Sequence, residues 1–230
     1  MLKRIDRLQM AVPDRDAVAK GWSELLGAEP AGEDRVASLS ARRTRLRLGS
    51  GFVELLEPDG AGRIGDAVAK RGAHLYAAGA ATDDFAALVA HLRSQGIDPV
   101  EEGDAFVPID SKHYGYAGTL TLFDRDRLGR FEVITPHDPR NTMGRFFSRF
   151  GESFYMAFAE SHALGAIEAR AREIRAGHTP EPPSEGRVGD ANTVFLHPAA
   201  LGGMMLGLSR PTQAWQWSGH PERVEPRPRA

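Results

Sequence analysis

The chain has 230 residues, 41% of them hydrophobic and 26% charged, and its 29 basic and 31 acidic side chains leave a formal net charge of -2. These values are typical of a globular protein and exclude an intrinsically disordered chain. The nearly even charge balance excludes a strong attraction to nucleic acid or to an anionic membrane, so we expect a small molecule as the partner. Because the chain has no cysteine, zinc–thiolate sites, thiol nucleophiles and disulfides are excluded as well.

Signals for export, membrane insertion and nucleotide binding are missing from the sequence. The first residues, MLKRIDRLQM, contain no apolar core of a secretion signal, and no run of about 18 apolar residues could span a bilayer. The GxGxxG and P-loop motifs are absent, so no nucleotide cofactor is expected. We therefore predict a cytoplasmic protein that does not bind a membrane.

Three amphipathic helices are predicted in chain order, each followed by the motif Gly-x-x-Pro. The motif begins at Gly27, Gly96 and Gly177, and glycine is typical of a helix C-terminus. Before each motif, apolar residues recur three and four positions apart, which is the spacing of a helix that packs on one side. The residues predicted to cap the three N-termini are Asp14, Thr82 and Ser161.

Each helix is preceded by one predicted strand and followed by two or three more. The last strand of each copy is the most regular: GFVELLEP, GRFEVITP and GMMLGLSRP. Aligned on the final proline, the equivalent positions in these strands are Glu54, Glu132 and Gly207. Successive side chains of a strand alternate between its two faces, so we expect the two glutamates to point into equivalent space.

These repeats divide the chain into three predicted βαβββ modules, which cover residues 1–58, 73–136 and 152–211. The segments between the modules are rich in glycine and charge and are interpreted as connectors. The C-terminal residues 218–230, which include PERVEPRPRA, are predicted to form a flexible tail. The predicted fold class is therefore α+β, built from tandem βαβββ modules.

This order of elements resembles the vicinal oxygen chelate superfamily, which includes glyoxalase I, methylmalonyl-CoA epimerase, extradiol dioxygenases and bleomycin-resistance proteins. IDRLQMAVPDRDAVAKGWSELLGAE is similar to the family's first strand and helix, FVELLEPDG to its closing strand, and TLFDRDRLGRFEVI to the end of its second copy. NTVFLHPAALGGMMLGL resembles the closing segment of methylmalonyl-CoA epimerases. The resemblance implies that the first two modules pair edge to edge into a half-open cup.

The resemblance also implies a divalent metal in the cup, held by the first and last strands of both modules. By position, the four residues concerned are Arg7, Glu54, His74 and Glu132. Glu54, His74 and Glu132 are competent ligands for Zn, Ni, Co or Mn. Two carboxylates and a histidine in a largely apolar cup are unfavourable unless a metal or another cation pairs with them.

Arg7 departs from the family pattern, because a guanidinium keeps its proton and cannot coordinate a cation. Its presence disfavours dioxygenase chemistry, which needs two histidines and one carboxylate on iron. Two interpretations stay open. In the first, the three ligands hold the metal with help from Gln9 or water, and Arg7 binds an acidic group of the substrate. In the second, Arg7 replaces the metal and bridges the two glutamates.

With a metal bound, the resemblance implies an isomerase or lyase that acts on a small oxygenated or thioester-linked acid through an enolate-like intermediate. Glu132 or Glu54 would be the catalytic base that moves the proton. Residues 103–118 combine flanking glycines with aromatic side chains, a composition typical of a loop over a pocket. The predicted substrate-binding residues are Arg7, Gln9, Tyr76, His113 and Tyr114.

Without a metal, the same fold would be a small-molecule binding protein of the sequestration or resistance type. A third hypothesis is a purely structural subunit, which the retained pair of glutamates argues against. The third module has Tyr155 and Gly207 where the first two have ligands, so it is predicted to have lost its chemistry. Its exposed sheet edge and apolar face need a partner, so this module either packs on the first two modules or pairs with the same module of a second chain; of the two we predict the homodimer.

Overall fold

The computed structural model confirms the predicted α+β class, with helices packed on open sheets. The described residues are 2–97, 99–102, 105–107, 121–122, 128–129, 132–133, 139–140, 142–181, 188–217 and 220–226. Their helices are α1 (Arg15–Leu26), α2 (Arg63–Arg71), α3 (Phe85–Ser94), α4 (Thr142–Phe150) and α5 (Leu164–Glu173). None of these helices is long and apolar enough to cross a membrane.

The strands of the described residues form two larger sheets and two short ladders. The first sheet contains β1 (Leu2–Ala11), β2 (Glu29–Val36), β3 (Ala41–Leu48), β4 (Gly51–Pro58) and β5 (His74–Thr82). The ladders pair β6 (Val100–Glu102) with β7 (Ala105–Val107) and β8 (Thr121–Leu122) with β9 (Glu132–Val133). The second sheet contains β10 (Met156–Glu160), β11 (His178–Glu181), β12 (Thr193–Leu196) and β13 (Met205–Ser209).

The first sheet joins a complete βαβββ unit to the first strand of the following repeat. Its strand order is β2-β3-β4-β1-β5, with β1 parallel to β4 and antiparallel to β5. The pairing of β1 with β5 is the kind of edge contact that the resemblance implies between the first two modules. The later strands predicted within residues 73–136 lie largely outside the described residues. The extent of the second module therefore stays a prediction.

The second sheet repeats the topology of the first. Its strand order is β10-β13-β12-β11, with β10 parallel to β13 and α5 in the connection after β10. These strands correspond to β1, β4, β3 and β2 in the same spatial order. We call β1 to β4 with α1 the first unit, and β10 to β13 with α5 the third unit.

The ends of α1 form as the sequence predicts, because both carry a local signal. Asp14 accepts two backbone hydrogen bonds in the first turn, and Gly27 ends the helix with a left-handed φ of 66°. The predicted cap of α3 is wrong, since Asp84 and not Thr82 accepts from the backbone nitrogen of Ala87. Thr82 is the last residue of β5, and its hydroxyl accepts from the nitrogen of Asp84.

Two helices, α2 and α4, lie between the predicted modules, in segments whose composition indicates connectors. Ile64 of α2 is fully buried and packs with Ala11 and Leu56 of the first sheet. In α4, the ring of Phe146 lies edge-on to Tyr155, with 5.0 Å between the ring centroids. Short helices of this kind are stabilised by packing more than by propensity. Their glycine and charge content therefore gave a misleading signal in the sequence.

One apolar core connects the first sheet, α1, α5 and the second sheet. It contains Met10 and Leu55 of the first sheet, Trp22 of α1, Leu164 of α5 and Leu206 of the second sheet. Trp22 is fully buried, and truncation of such a side chain to alanine costs about 3–5 kcal/mol. The third unit is therefore packed on the first unit within the same chain.

The described part of the C-terminal segment is bound to the third unit. The backbone nitrogen of Glu225 donates to Thr212 Oγ1, and Arg210 Nη1 donates to the carbonyl of Glu225, each at 2.8 Å. Arg223 Cζ lies 4.7 Å from the ring centroid of Trp215. Residues 220–226 take part in these contacts, and the flexible tail over residues 218–230 stays a prediction.

The close approach of the third unit to α1 depends on Gly21. A Cβ atom at this position would lie 2.2 Å from the carbonyl oxygen of Ala200. Ala200 belongs to the turn between β12 and β13, and backbone in a turn cannot move aside as the end of a flexible side chain can. Nearby, Arg170 Nε donates to the carbonyl of Glu24 at 3.1 Å. Helix α1 and the third unit are thus in contact at backbone level.

We predict that Gly21→Ala lowers the free energy of unfolding by about 1–3 kcal/mol, although alanine is the better helix former. The loss comes from the clash with Ala200. Lys20→Ala, at an exposed position of the same helix, should change stability by less than about 0.5 kcal/mol. Urea unfolding measures both variants. Equal stabilities would contradict this packing of the third unit.

Candidate binding site on the first sheet

Alternation along its strands gives the first sheet one apolar face and one polar face. Met10, Leu46 and Leu55 belong to the apolar core with α1. The opposite face carries the side chains at the alternate positions of three neighbouring strands. We call this surface the arginine face, and its residues are Arg7 and Gln9 of β1, Arg43, Arg45 and Arg47 of β3, and Phe52 and Glu54 of β4.

Glu54 lies at the centre of the arginine face and is only 3% exposed. Gln9 Nε2 donates to its Oε2 at 2.7 Å. Arg43 Nη1 lies 3.3 Å from both Oε1 and Oε2. A buried carboxylate is tolerated when donors and an opposite charge surround it. Gln9 and Arg43 together meet that requirement.

Arg43 holds two carboxylates at the same time. Its Nε and Nη2 donate to Asp34 at 2.8 and 2.7 Å, while Nη1 donates to Glu54. The hydrogen bonds to Asp34, with the charge of Glu54, raise the pKa of Arg43 although burial opposes the shift. The same hydrogen bonds lower the pKa of Asp34. The paired fork of Arg43 and Asp34 therefore fixes the guanidinium beside Glu54.

Arg7 binds its neighbour Asp6 and lies along the sheet. Its Nε and Nη2 donate to the two carboxylate oxygens at 3.0 and 3.2 Å. The side chain crosses Gly79 of β5, where a Cβ atom would lie 2.4 Å from Arg7 Cγ. The hydrogen bond with Asp6 raises the pKa of Arg7, and the charge of Glu54 adds to this effect. One interpretation of the sequence has Arg7 bridging Glu54 and Glu132. In the structure it is Arg43, not Arg7, that contacts Glu54.

Arg45 and Arg47 complete the row of cations on β3. Arg47 Cζ lies 5.5 Å from the ring centroid of Phe52. Arg45 Nη2 lies 4.0 Å from Asp34 Oδ2, and its buried Nε has no hydrogen-bond partner among the described residues. The side chain of Arg45 is nevertheless 40% exposed, so the guanidinium as a whole is accessible to a ligand.

Sequence reasoning missed the arginines of β3 and Asp34 as site residues. A signal was present, because ARRTRLRL places arginine at positions 43, 45 and 47, which is the two-residue period of a strand. The family resemblance assigns ligands only to the first and last strands of each repeat, so it does not point to β3. The register of β3 against β4 is what brings this row beside Glu54.

One end of the polar face is covered by α2. Ala11, Ala41 and Leu56 continue the face and form an apolar cluster with Ile64 of this helix. Tyr76, a predicted substrate-binding residue, packs against the same cluster. The structure thus places Tyr76 in the apolar packing beside α2.

His74, a predicted metal ligand, is buried at the start of β5, next to Ala11. Its Nδ1 lies 2.8 Å from the carbonyl oxygen of Gly72. Its ring lies edge-on to that of Tyr76, with 6.3 Å between the centroids. Burial lowers the pKa of His74, and the charge of Arg71 adds to the lowering, whereas the hydrogen bond with Gly72 opposes it. The imidazole is therefore held in its neutral form with Nδ1–H donating.

The other predicted site residues lie elsewhere or outside the described residues. Glu132 pairs with Leu122 in the β8–β9 ladder and is exposed. His113 and Tyr114 fall outside the described residues. Among those that are described, no three histidine, aspartate or glutamate side chains are grouped so that they could hold a metal ion. The predicted ligand set of Glu54, His74 and Glu132 stays a prediction.

The donor chemistry around Glu54 does not fit a divalent cation. Both of its oxygens already accept hydrogen bonds, from Gln9 and Arg43. Arg43 Nη1 lies 3.3 Å from each of these oxygens, and the charge of Arg7 also acts on Glu54. Positive charges at such distances repel a further cation. In this arrangement an arginine balances the carboxylate that a metal would otherwise balance.

The third unit has aromatic side chains at the equivalent place. Gly207 of β13 pairs with Phe158 of β10 and Phe195 of β12, as Glu54 is flanked in the first sheet. A Cβ atom at Gly207 would lie 2.4 Å from Phe158 Cζ. The rings of Phe158 and Phe195 are 5.7 Å apart between centroids. This position is apolar in the third unit and charged in the first.

The structure thus consists of repeated βαβββ units, and one of its sheets carries a polar site on its open face. Residues 6–116, just under half of the chain, match the family model described as Glyoxalase/Bleomycin resistance protein/Dioxygenase superfamily. The matched segment contains the whole arginine face. For this segment the match confirms the predicted resemblance to the vicinal oxygen chelate superfamily.

Solved structures show a weaker likeness. Methylmalonyl-CoA epimerase from Mycobacterium tuberculosis is 16% identical, with 93% of this chain and 91% of that chain covered and a TM-score of 0.41. A variant of the Streptomyces coelicolor epimerase in complex with 2-nitronate-propionyl-CoA is 17% identical, with 92% and 99% covered and a TM-score of 0.40. A mutant of 4-hydroxymandelate synthase from Streptomyces coelicolor is 14% identical, with 93% and 64% covered and a TM-score of 0.40. Such values carry no conclusion about activity. No curated protein matches the sequence.

Removal of the Arg43 guanidinium should leave Glu54 buried without a direct counter-charge. We predict that Arg43→Ala lowers the free energy of unfolding by about 2–4 kcal/mol at neutral pH. Adding Glu54→Gln to this variant should recover part of the loss, because a neutral amide needs no counter-charge. Urea unfolding of the single and double variants measures both effects.

Arg35→Ala is the matched control for this prediction. Arg35 is largely exposed and pairs with Asp59 at 2.7 Å, so its removal should cost less than about 1 kcal/mol. A loss in Arg43→Ala no larger than in the control, or no recovery on adding Glu54→Gln, would disprove the role given to Arg43.

Proposed function

We propose that the chain binds a small molecule with an acidic group on the arginine face, without a divalent metal. The observation that carries this proposal is the contact of Arg43 with both carboxylate oxygens of Glu54. An arginine that balances a buried carboxylate removes the need for a metal to do so. Of the interpretations that the sequence leaves open, this contact favours the metal-free binding protein, with Arg43 in the role considered for Arg7.

An acid is the ligand that suits the remaining charges of the site. Arg43 already engages the carboxylates of Asp34 and Glu54. Arg45 retains an unpartnered buried Nε among the described residues, and Arg47 is an exposed cation over the ring of Phe52. A guanidinium fork matches the two oxygens of a carboxylate. The ring of Phe52 supplies an apolar contact for the organic part of such a ligand.

The competing function is the metal-dependent isomerase or lyase that the resemblance implies. The match of residues 6–116 to the superfamily model supports it, because one fold is compatible with several chemistries. It requires Glu54 to exchange its partners, Gln9 and Arg43, for a metal and a substrate proton. The predicted choice of Zn, Ni, Co or Mn and the cytoplasmic location both stay predictions.

The two functions differ in metal content, and the proposed binding function further requires that the ligand be an acid. We predict that protein purified without chelators contains only substoichiometric metal by elemental analysis. Benzoate should bind about tenfold more tightly than the neutral analogue benzamide, because Arg45 and Arg47 pair with its carboxylate. Arg45→Gln should remove this preference. Chemical-shift titration by NMR measures these weak affinities.

Arg42→Gln is the control for charge, since Arg42 is exposed and pairs with Glu57, outside the arginine face. This variant should keep the preference for benzoate. One equivalent of metal in the native protein, lost in Glu54→Gln, would instead support the isomerase or lyase. Equal binding of benzoate and benzamide would contradict an acidic ligand.

We also propose that the third unit pairs with its counterpart in a second chain. In the first unit the edge of β1 is covered by β5. β10 has the equivalent position in the third unit and, among the described residues, pairs with β13 alone. Phe158 of β10 is 41% exposed, and an exposed apolar side chain on an edge strand of a sheet favours association.

We predict that Phe158→Asp converts a dimer into a monomer, because the contact would bury a charge. Light scattering after gel filtration measures the molar mass. Phe147→Asp is the matched control, since Phe147 of α4 is 47% exposed and lies outside the second sheet; this variant should remain dimeric. A monomeric wild-type protein, or the same dimer in both variants, would rule out pairing through β10.

A further inference from the structure

A second group of cations lies away from the arginine face, where the C-terminal ends of α2 and α4 meet. Lys70 and Arg71 are the last residues of α2, and Arg149 and Phe150 are the last residues of α4. With Glu152 they line a cleft of about 350 Å³. This volume is within the range of pockets that bind small organic molecules.

Arg71 is fixed in the wall of this cleft. Its Cζ lies 4.9 Å from the ring centroid of Phe150 and 6.0 Å from that of Phe146. Its Nη2 donates to Ser153 Oγ at 3.3 Å. Its Nε is buried and has no hydrogen-bond partner in the part of the chain that the structure describes. Burial lowers the pKa of Arg71, so this guanidinium is incompletely compensated.

The cleft carries an excess of positive charge. Among the residues with described positions, Lys70, Arg71 and Arg149 form no ion pair with a carboxylate. Arg149 Cζ also lies 4.9 Å from the ring centroid of Phe150, so two guanidinium groups share one ring. The positive charges that line the cleft repel one another. The single carboxylate in the lining, that of Glu152, cannot balance three cations.

The helix ends alone do not account for this arrangement. The negative end of a helix stabilises a basic side chain by about 0.3–1 kcal/mol. That effect explains one cation at each C-terminus, but not the meeting of both ends around one cleft. The last turns are already capped, since Gly72 donates to the carbonyl of Val68 at 2.7 Å and Gly151 to that of Phe147 at 2.8 Å. An anion in the cleft would pair with all three cations at once.

We propose that this cleft binds a phosphate monoester, with its phosphoryl group held by Lys70, Arg71 and Arg149 and its organic group against Phe150. A phosphoryl group offers three acceptor oxygens and nearly two negative charges, which suits three separate cations better than a carboxylate does. The ring of Phe150 supplies the apolar surface for the ester group. Nothing in this proposal requires the arginine face to bind a ligand.

The test uses the full chain and phenyl phosphate as the probe, titrated by calorimetry at constant ionic strength. Lys70→Gln and Arg149→Gln should each weaken binding by about tenfold or more, because each removes one charge-assisted hydrogen bond. Arg63→Gln removes the same charge from the opposite end of α2 and should leave the affinity within about twofold of the wild-type value. The three substituted residues, Lys70, Arg149 and Arg63, are all exposed. Thermal unfolding checks that the variants fold.

Two further arms separate the possible sites and ligands. Arg45→Gln should not change the affinity for phenyl phosphate; a loss there would show that the probe binds the arginine face and would overturn the assignment to the cleft. Phenyl phosphate should bind more tightly than inorganic phosphate, and equal affinities would overturn the assignment to an ester. Absence of binding, or equal weakening by Arg63→Gln and Arg149→Gln, would overturn the site altogether.

Discussion

The charge of Glu54, buried in the middle of a sheet face, is the constraint on which the arrangement of the first unit depends. A carboxylate with 3% exposure is stable only if donors and a cation reach it. Gln9 reaches it from β1 and Arg43 from β3, and Asp34 of β2 holds Arg43 in turn. A slip of one residue in any of these strands would turn the partner to the other face. The polar network therefore favours one register across four strands.

The same backbone topology carries opposite chemistry in the first and third units. Glu54 and Gly207 occupy equivalent positions between neighbouring strands. In the third unit a side chain at Gly207 would collide with the ring of Phe158, so the space is filled by aromatic packing. The repeated topology thus supplies a scaffold, whereas the chemistry depends on which side chains line each sheet.

Helix α2 lies between the two cationic regions of the molecule. Its Ile64 closes one end of the polar face by packing on Ala11 and Leu56. Its last residues, Lys70 and Arg71, line the cleft with α4. The helix is short, and its packing on the sheet stabilises it more than its own propensity does. It therefore lies between the arginine face, where Arg43 is paired with carboxylates, and the cleft, where the positive charges are not balanced.

The sequence by itself determined the elements with local signals. These include α1 with its cap Asp14 and terminal Gly27, the closing strands β4 and β13, and the placement of Glu54 on a polar face, because helix ends and strand alternation depend on near neighbours. Only the tertiary structure decided that Arg43 contacts Glu54, that α2 packs on the sheet, and that the third unit packs on α1. Each of these contacts joins residues that are distant in sequence. Their partners depend on strand register and on the close approach of backbones, as at Gly21 and Ala200, and neither is encoded in a local pattern.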